Sequence, residues 1–214
     1  MNIYSSIRKG LAMGAKQRTN RKDLIVEQAR ILFWQKGYDR TSVRAIARAC
    51  GFEPGNIYNY FPSKEEILYE VLREEVERLH DSVKHLASNT SGNPVEQLRT
   101  LIHNSLNVLI GTRLGPRLPF DMEIRQLSPK HRSKVIELRD QYDSVVRSIL
   151  QNGKRTGDFA EDIDVAFAGF CLASMLLRTR VWYSPEGRLS IFEIADAMLE
   201  LFVRGISAKN QDKC

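Results

Sequence analysis

The 214-residue sequence predicts an all-α protein with a small three-helix N-terminal domain and a larger helical domain behind it. Three observations support this fold class. Apolar residues recur at intervals of three and four through nearly the whole chain, which is the spacing of one helix face. Glycine and proline separate these periodic segments, and no segment shows the alternation typical of a strand. With 43% hydrophobic and 27% charged residues, the composition is that of a folded globular protein.

The first helix is predicted over residues 21–36. Either Thr19 or Asn20 can cap it, and Gly37 follows as a C-terminal stop. We expect residues 1–19 to form a flexible basic tail. The face that should pack inward consists of Leu24, Ile25, Gln28, Ala29, Leu32 and Phe33.

Two short helices are predicted next, over residues 43–50 and 54–61. Thr41 or Ser42 can cap the first of them. Pro54 suits the first turn of the second, because the N–H that it lacks would be unpaired there anyway. Two short helices joined by a tight glycine-containing turn match the helix-turn-helix motif, whose second helix enters the major groove of DNA.

A longer fourth helix is predicted after Ser63, which can form a capping box with Glu66, and this helix should end near Ala87. A linker-like stretch follows at residues 88–94. Beyond it we predict helices over residues 95–111, 129–153, 162–181 and 190–207. The chain is therefore divided into the tail (1–19), a helix-turn-helix domain (20–80, with the motif at about 43–62), a larger helical domain (81–208) and a C-terminal tail (209–214).

Charge is distributed unevenly along the chain. Residues 1–65 hold 12 Lys and Arg against 5 Asp and Glu, whereas residues 66–214 hold 20 against 21. A basic N-terminal third on a neutral remainder is expected where one part of a protein meets a polyanion. Nucleic acid is the leading candidate, although solvated helix faces also carry Lys and Arg.

The segment from Thr41 to Leu68 carries the most specific pattern in the chain. It reads TSVRAIARACGFEPGNIYNYFPSKEEIL. This strongly resembles the N-terminal DNA-binding domain of TetR/AcrR-family transcriptional regulators, and the resemblance covers about residues 20–80. The chain departs from the family pattern at Ala45, where an acid is usual, and at Cys50, where alanine is usual. These departures concern the choice of operator rather than the fold.

The resemblance implies a DNA-contacting surface on the two short helices. Arg can pair with a guanine edge and Asn with adenine. We therefore expect base recognition by Arg44, Asn56 and Asn59. Contacts that position the protein on the phosphates are expected from Thr41, Tyr58, Tyr60 and Lys64. Ser42, Pro54 and Gly55 complete the predicted surface.

The resemblance also implies that the larger domain dimerises and binds a small effector. A dimer suits a palindromic operator, because one short helix makes too few contacts to read an operator alone. The last predicted helix and the run 165–177 could form half of an intersubunit four-helix bundle. The predicted dimer interface consists of Ile191, Ile194, Ala195, Met198, Leu199 and Phe202.

The effector is predicted from a second resemblance. Segments such as 120–128 and 182–187 look like the ligand domain of TetR-type regulators of fatty-acid and sterol catabolism. That resemblance implies an acyl-CoA or another lipophilic acid as effector. The predicted pocket residues mix aromatic, Met, aliphatic and basic side chains. They are Leu109, Phe120, Met122, Arg125, Phe170, Met175, Trp182 and Tyr183.

Two other classes are weighed against a sequence-specific, effector-controlled repressor: an enzyme, and a non-specific nucleic-acid-binding helical protein. The sequence has no GxSxG, HExxH, P-loop or Rossmann fingerprint, and its four histidines have no third partner at metal or triad spacing. We therefore expect no catalytic residue, metal or cofactor. No stretch reaches the roughly 18 to 20 consecutive apolar residues of a membrane span, and no secretory signal is recognisable. We expect a cytoplasmic protein with no membrane partner.

Overall fold

The computed structural model describes residues 3–88, 92–110 and 124–208, with side chains from residue 20 onward. In this part of the chain the backbone is helical, and extended pairing is limited to one antiparallel bridge between Phe159 and Ser207. The all-α fold class is therefore confirmed. The helices are α1 (Ile3–Lys36), α2 (Val43–Ala49), α3 (Pro54–Ile57), α4 (Lys64–Val83), α5 (Pro94–Ile110), α6 (Pro129–Thr156), α7 (Val165–Trp182) and α8 (Ile191–Ile206). Short 3-10 helices occupy Lys84–Leu86 and Ile124–Gln126.

The described chain forms two compact units, and the division falls inside α4. Residues 3–73 and 124–132 form the first unit, while residues 74–110 and 133–208 form the second. The domain boundary predicted after residue 80 therefore lies beyond the structural division. Segment 124–132, which was assigned to the larger domain, belongs to the first unit. A boundary inside a continuous helix leaves no cap or turn in the sequence to mark it.

The first unit is held together by apolar side chains of α1 to α4. α1 ends at Lys36 because Gly37 has a φ of 80°, in the left-handed region that glycine adopts without strain. Gly51, at φ 69°, makes the same kind of stop after α2. The hydrophobic residues with no exposed surface are Ile25, Ala29, Phe33, Ile46, Ala47, Ile57, Ile67, Leu68 and Val71.

Two predicted helix limits in this unit are wrong. α1 begins at Ile3 and not at residue 21, so the segment predicted as a flexible tail is helical. That segment contains no proline, and Thr19 and Asn20 continue the helix instead of capping it. α3 ends at Ile57, four residues earlier than predicted. The amides of Tyr60 and Phe61 both donate to the carbonyl of Ile57, at 2.9 Å each, so the chain closes into a turn before Pro62.

The second unit is built around α5, which packs against α7 and α8. Side-chain caps set where the two partner helices begin. Asp164 accepts from the amides of Ala166 and Phe167 at the start of α7, and Ser190 with Glu193 forms a capping box at the start of α8. Buried apolar side chains of α5, α6 and α7 in this core include Leu98, Leu101, Ile102, Leu106, Val145, Val146, Ile149, Leu150, Leu172 and Leu176.

The stripe on α8 that was predicted as a dimer interface faces the core of its own chain. Ile194, Ala195, Met198, Leu199 and Phe202 are buried in the second unit, and Ile191 packs against the same core. The prediction that they form the dimer interface is therefore wrong for the five buried residues, and it stays a prediction for Ile191, which is only partly buried. Apolar periodicity identifies a buried face, but it does not show whether that face is buried by the same chain or by a partner.

One helix of the described part, α7, is long and apolar enough to cross a membrane by length and composition. Ser174, Arg178, Thr179 and Arg180 lie within this helix, so its run of consecutive apolar residues is shorter than 18. α7 also buries Ala168, Leu172, Leu176 and Thr179 in the second unit and carries Arg178 and Arg180 near its end.

Candidate nucleic-acid interface and effector domain

Most residues predicted to read DNA lie exposed on one motif. Ser42 caps α2, with its Oγ accepting from the amide of Ala45 at 3.1 Å, and this cap positions Arg44 in the first turn. Gly51 then turns the chain into α3, whose first residue is Pro54. The exposed residues of the predicted surface are Ser42, Arg44, Gly55, Asn56, Tyr58 and Asn59; Pro54 and Tyr60 are half-buried.

Thr41 is an exception. Its side chain is 1% exposed, and its hydroxyl donates to the carbonyl of Gly37 at 2.8 Å, with the carbonyl of Leu32 at 3.2 Å. A hydroxyl that is buried and bonded in this way cannot contact a phosphate, so the prediction for Thr41 is wrong. Thr41 instead satisfies backbone carbonyls at the end of α1, where helix carbonyls have no partner within the helix.

Lys64, at the start of α4, is held against the end of α1. Its Nζ donates to the carbonyl of Tyr38 at 2.9 Å and lies 4.0 Å from the centre of the Tyr38 ring. An ammonium group has three donors, and this carbonyl uses one of them. Lys64 is therefore positioned by the fold and keeps donors for a phosphate.

The structure also adds basic residues that the sequence analysis missed. Arg21 of α1 lies with a guanidinium nitrogen 3.5 Å from the hydroxyl of Tyr60, and Nζ of Lys22 lies 5.4 Å from the ring centre of Phe61. Arg48 of α2 is exposed as well. The excess of Lys and Arg before residue 66 was the signal for these residues, but charge counting does not show which of them lie beside the helix-turn-helix.

Both halves of the chain match known protein families. Residues 25–71 match the bacterial regulatory proteins of the tetR family, and residues 91–206 match the tetracyclin repressor-like C-terminal domain. The chain belongs to the TetR family. It is a bacterial regulatory protein with an N-terminal helix-turn-helix DNA-binding domain and a tetracyclin repressor-like C-terminal domain, and a dimer is typical of this family.

Relatives in the TetR family cover almost the whole chain. The HTH-type transcriptional repressor KstR2 of Mycolicibacterium smegmatis is 28% identical, over 92% of this chain and 96% of its own length. The fatty acid metabolism regulator protein of Bacillus subtilis is 27% identical, over 91% of this chain and its full length. The crystal structure of AibR in complex with isovaleryl coenzyme A and operator DNA has the same fold, with a TM-score of 0.73 at 23% identity, and covers 85% of this chain and 97% of that one.

The described residues of the predicted pocket have different degrees of burial in this TetR-family chain. Leu109 is buried in the core of the second unit, and Met175 and Tyr183 pack against that core. Phe170 and Trp182 are 70% and 54% exposed, and their place in a pocket stays a prediction. Arg125 is exposed in the first unit. Phe120 and Met122 lie outside the described residues.

Exposed aromatic and aliphatic side chains form a continuous stripe along α7. Phe167, Phe170, Leu177 and Val181 follow one another at the three- and four-residue spacing of a helix–helix seam, with exposed Ser174 in the middle. α8 exposes Phe192 and Leu201 on the side away from the core. The sequence analysis placed the run 165–177 in the predicted intersubunit bundle, but it named interface residues only on the last helix.

Polar groups are also buried inside the second unit. Ser105 of α5 and Tyr142 of α6 share a hydrogen bond of 2.8 Å between their hydroxyls. Burial raises the pKa of Tyr142 to about 12, so its hydroxyl stays neutral. Glu75 of α4 and Arg180 of α7 form an ion pair whose side chains are only 9% and 6% exposed. This pair joins α4 to α7 within the second unit.

Proposed function

We propose that this TetR-family repressor is a homodimer that binds a palindromic operator through α2 and α3 and is released from it by an acyl-CoA or another lipophilic acid. The observation that carries the proposal is the exposure of Asn56, Tyr58 and Asn59 on and after α3, beside exposed Arg44. Bacterial regulators of this kind act on DNA, so we also propose that the protein works in the cytoplasm.

Base recognition is assigned to Arg44, Asn56 and Asn59, whose donors and acceptors match guanine and adenine edges. Contacts with the phosphates are assigned to Ser42, Tyr58, Tyr60 and Lys64. Pro54 and Gly55 keep the start of α3 compact, so that the backbone can approach the duplex. The sequence-specific assignment is favoured over non-specific binding because the exposed asparagines offer bidentate base contacts, whereas a non-specific binder needs charge alone.

The dimer is assigned to the exposed stripe of α7 together with Phe192 and Leu201 of α8. Large apolar side chains at 60–70% exposure are costly to leave in water, and a contiguous exposed apolar patch marks an interaction site. A two-fold pairing of α7 and α8 with the same helices of a second chain would bury the stripe in a four-helix bundle. A dimer contact through α7 would also explain why this helix is as apolar and as long as a membrane-spanning helix.

The effector class rests on the relatives. One relative is a fatty acid metabolism regulator, and AibR has been crystallised with isovaleryl coenzyme A and operator DNA. The second unit of this chain has a mostly apolar core, in which the pairs Ser105–Tyr142 and Glu75–Arg180 are buried. We propose that effector binding in this unit acts on α4, since residues of α4 belong to both units.

Fluorescence anisotropy tests the DNA and effector assignments together. The full chain is titrated onto its own upstream intergenic DNA and onto random duplex of the same length, at two salt concentrations, and long-chain acyl-CoA is then added. We expect Asn59→Ala to weaken specific binding by about 1–3 kcal/mol with an unchanged salt slope, and Lys64→Ala to lower the salt slope by about one. Lys84→Ala, an exposed lysine of the second unit, is the control that should change neither.

Each outcome of this titration decides a separate part of the proposal. Selective binding that acyl-CoA reverses supports the repressor and its effector class. Selective binding that acyl-CoA does not change refutes the proposed effector class and supports sequence-specific binding to the operator. Equal affinity for operator and random duplex refutes sequence-specific binding and favours the non-specific alternative.

A further inference from the structure

Three side chains of types that bind metal ions meet in the first unit. Glu65 and Glu66 lie in the first turn of α4, and His131 lies in the first turn of α6, 65 residues further along the chain. One carboxylate oxygen of each glutamate and one ring nitrogen of His131 all lie within 4.8 Å of one another. All three residues are partly buried, so they are shielded from solvent without being sealed off.

The imidazole of His131 is held in one orientation by two neighbours. Its ring stacks on Tyr69 with 4.0 Å between the ring centres and 13° between the planes. Its Nδ1 lies 2.9 and 3.1 Å from the two carboxylate oxygens of Glu65. The backbone amide of Ser128 donates to the same carboxylate at 2.9 Å and so holds it in place. A neutral imidazole that donates from Nδ1 keeps its lone pair on Nε2.

A carboxylate that accepts from one nitrogen of a histidine, and so fixes the direction of the other nitrogen, is the arrangement that orients histidine ligands in metal sites.

The free nitrogen of His131 faces a second carboxylate. Nε2 lies 3.6 Å from Oε2 of Glu66, which is longer than a hydrogen bond. Two ligands at zinc–nitrogen and zinc–oxygen distances of about 2.1 Å, in tetrahedral geometry, lie about 3.4 Å apart. The gap between these two atoms therefore fits a divalent ion.

We propose that Nε2 of His131 and the carboxylate of Glu66 bind a divalent transition-metal ion, with Glu65 as the outer carboxylate that positions the imidazole. Imidazole with carboxylate suits zinc, cobalt or nickel, whereas magnesium prefers oxygen ligands alone. Solvent completes the coordination, so the ion exchanges readily. A bound ion links the first turn of α6 to the first turn of α4, next to Lys64, and stabilises the first unit.

The sequence analysis expected no metal ligands because no third partner stands near any histidine in the sequence. The fold brings the partners together from two distant helix starts. Local spacing finds only those sites whose ligands share one helix or loop.

The test uses full-length, untagged protein stripped of metal, with zinc and cobalt ions as probes. Zinc is titrated by calorimetry, and cobalt is followed by its visible absorption, which reports coordination by the protein. We expect one ion per chain for the wild type. Glu66→Gln and His131→Gln should each lose at least tenfold in affinity, and Glu65→Gln should lose 10- to 100-fold although both ligands remain. Excess magnesium should not compete.

His103→Gln is the matched control. Nε2 of His103 lies 2.9 Å from the carboxylate of Asp196, and Arg99 contacts the same oxygen at 3.0 Å, so the guanidinium occupies the place that an ion would take. This variant should bind metal like the wild type. Circular dichroism checks that each variant folds, and Glu66→Gln decides the matter if His131→Gln does not fold, because it keeps the bond between Glu65 and His131. Absence of binding by the wild type, or binding that Glu66→Gln leaves unchanged, overturns the proposal.

Discussion

The buried ion pair between Glu75 and Arg180 allows a sharp test of what holds α4 to α7. Both side chains are more than nine-tenths buried, and Nε of Arg180 is buried without a hydrogen-bond partner among the described residues. Removing one member of such a pair leaves an uncompensated charge in the interior. Arg180→Met should therefore lower the free energy of unfolding by about 3–5 kcal/mol, and Glu75→Leu by a similar amount.

The double variant should behave differently from the sum of the single ones. With both charges gone, the cost of removing them from water is gone as well, and two apolar side chains fill the space. Glu75→Leu combined with Arg180→Met should lie close to the wild type or above it, by about 1–4 kcal/mol at most. The coupling between the two positions is then several kcal/mol, which is far more than distant sites show.

Urea unfolding followed by circular dichroism, at one fixed protein concentration, measures these differences. Lys84→Met is the control, because Lys84 pairs with Asp81 at 2.7 Å but both side chains are about 60% exposed. Exposed pairs of this kind contribute about 0–1 kcal/mol. If Arg180→Met costs no more than Lys84→Met, or if the two single effects simply add in the double variant, the reasoning from burial is refuted.

Three further predictions concern packing, assembly and pH. Gly153→Ala should destabilise by about 1–3 kcal/mol in the same urea assay, because the added methyl would lie 2.0 Å from the ring of Phe159; an unchanged midpoint would contradict this close packing. Phe170→Glu should convert the dimer to monomer in sedimentation velocity while circular dichroism stays unchanged, and a dimer that persists would remove the α7 stripe from the interface. Glu65→Gln should flatten the acid side of the stability curve. Because the pKa of Glu65 is lower in the folded chain than in the unfolded chain, the ionised carboxylate stabilises the fold at pH values above its ordinary pKa. This contribution is lost as the pH falls through the lowered pKa. A variant with the wild-type acid slope would count against the contact.

Local signals predicted the helix-turn-helix well. Ser42 caps α2 as one of two predicted residues, Pro54 begins α3, and Gly37 and Gly51 end the helices before them. These features depend on the chemistry of a few consecutive residues, which the sequence displays directly. The exposure of Asn56 and Asn59 follows from the same local geometry.

Features that depend on contacts with distant parts of the chain were predicted less accurately. Thr41 and Ser42 are equally good caps by sequence, and only the end of α1 decides that the Thr41 hydroxyl is consumed by the carbonyl of Gly37. α8 shows the clearest apolar stripe, but α5 and α7 cover it within the same chain. A hydroxyl forms its hydrogen bond, and an apolar face is buried, against the groups that the fold places beside it. These groups come from distant parts of the sequence.

The sequence by itself determined the family, the all-α class and the positions of most helices, and it predicted the surface now proposed to face DNA. The tertiary structure decided which apolar faces are buried within the chain and which are exposed. Ile194 is buried, whereas Phe170 is exposed. The tertiary structure also decided that His131 meets Glu65 and Glu66, residues that no sequence spacing connects. The physical reason is the range of the interactions: helix caps and periodicity act over a few residues, whereas burial and the meeting of charged groups depend on segments that only the folded chain brings together.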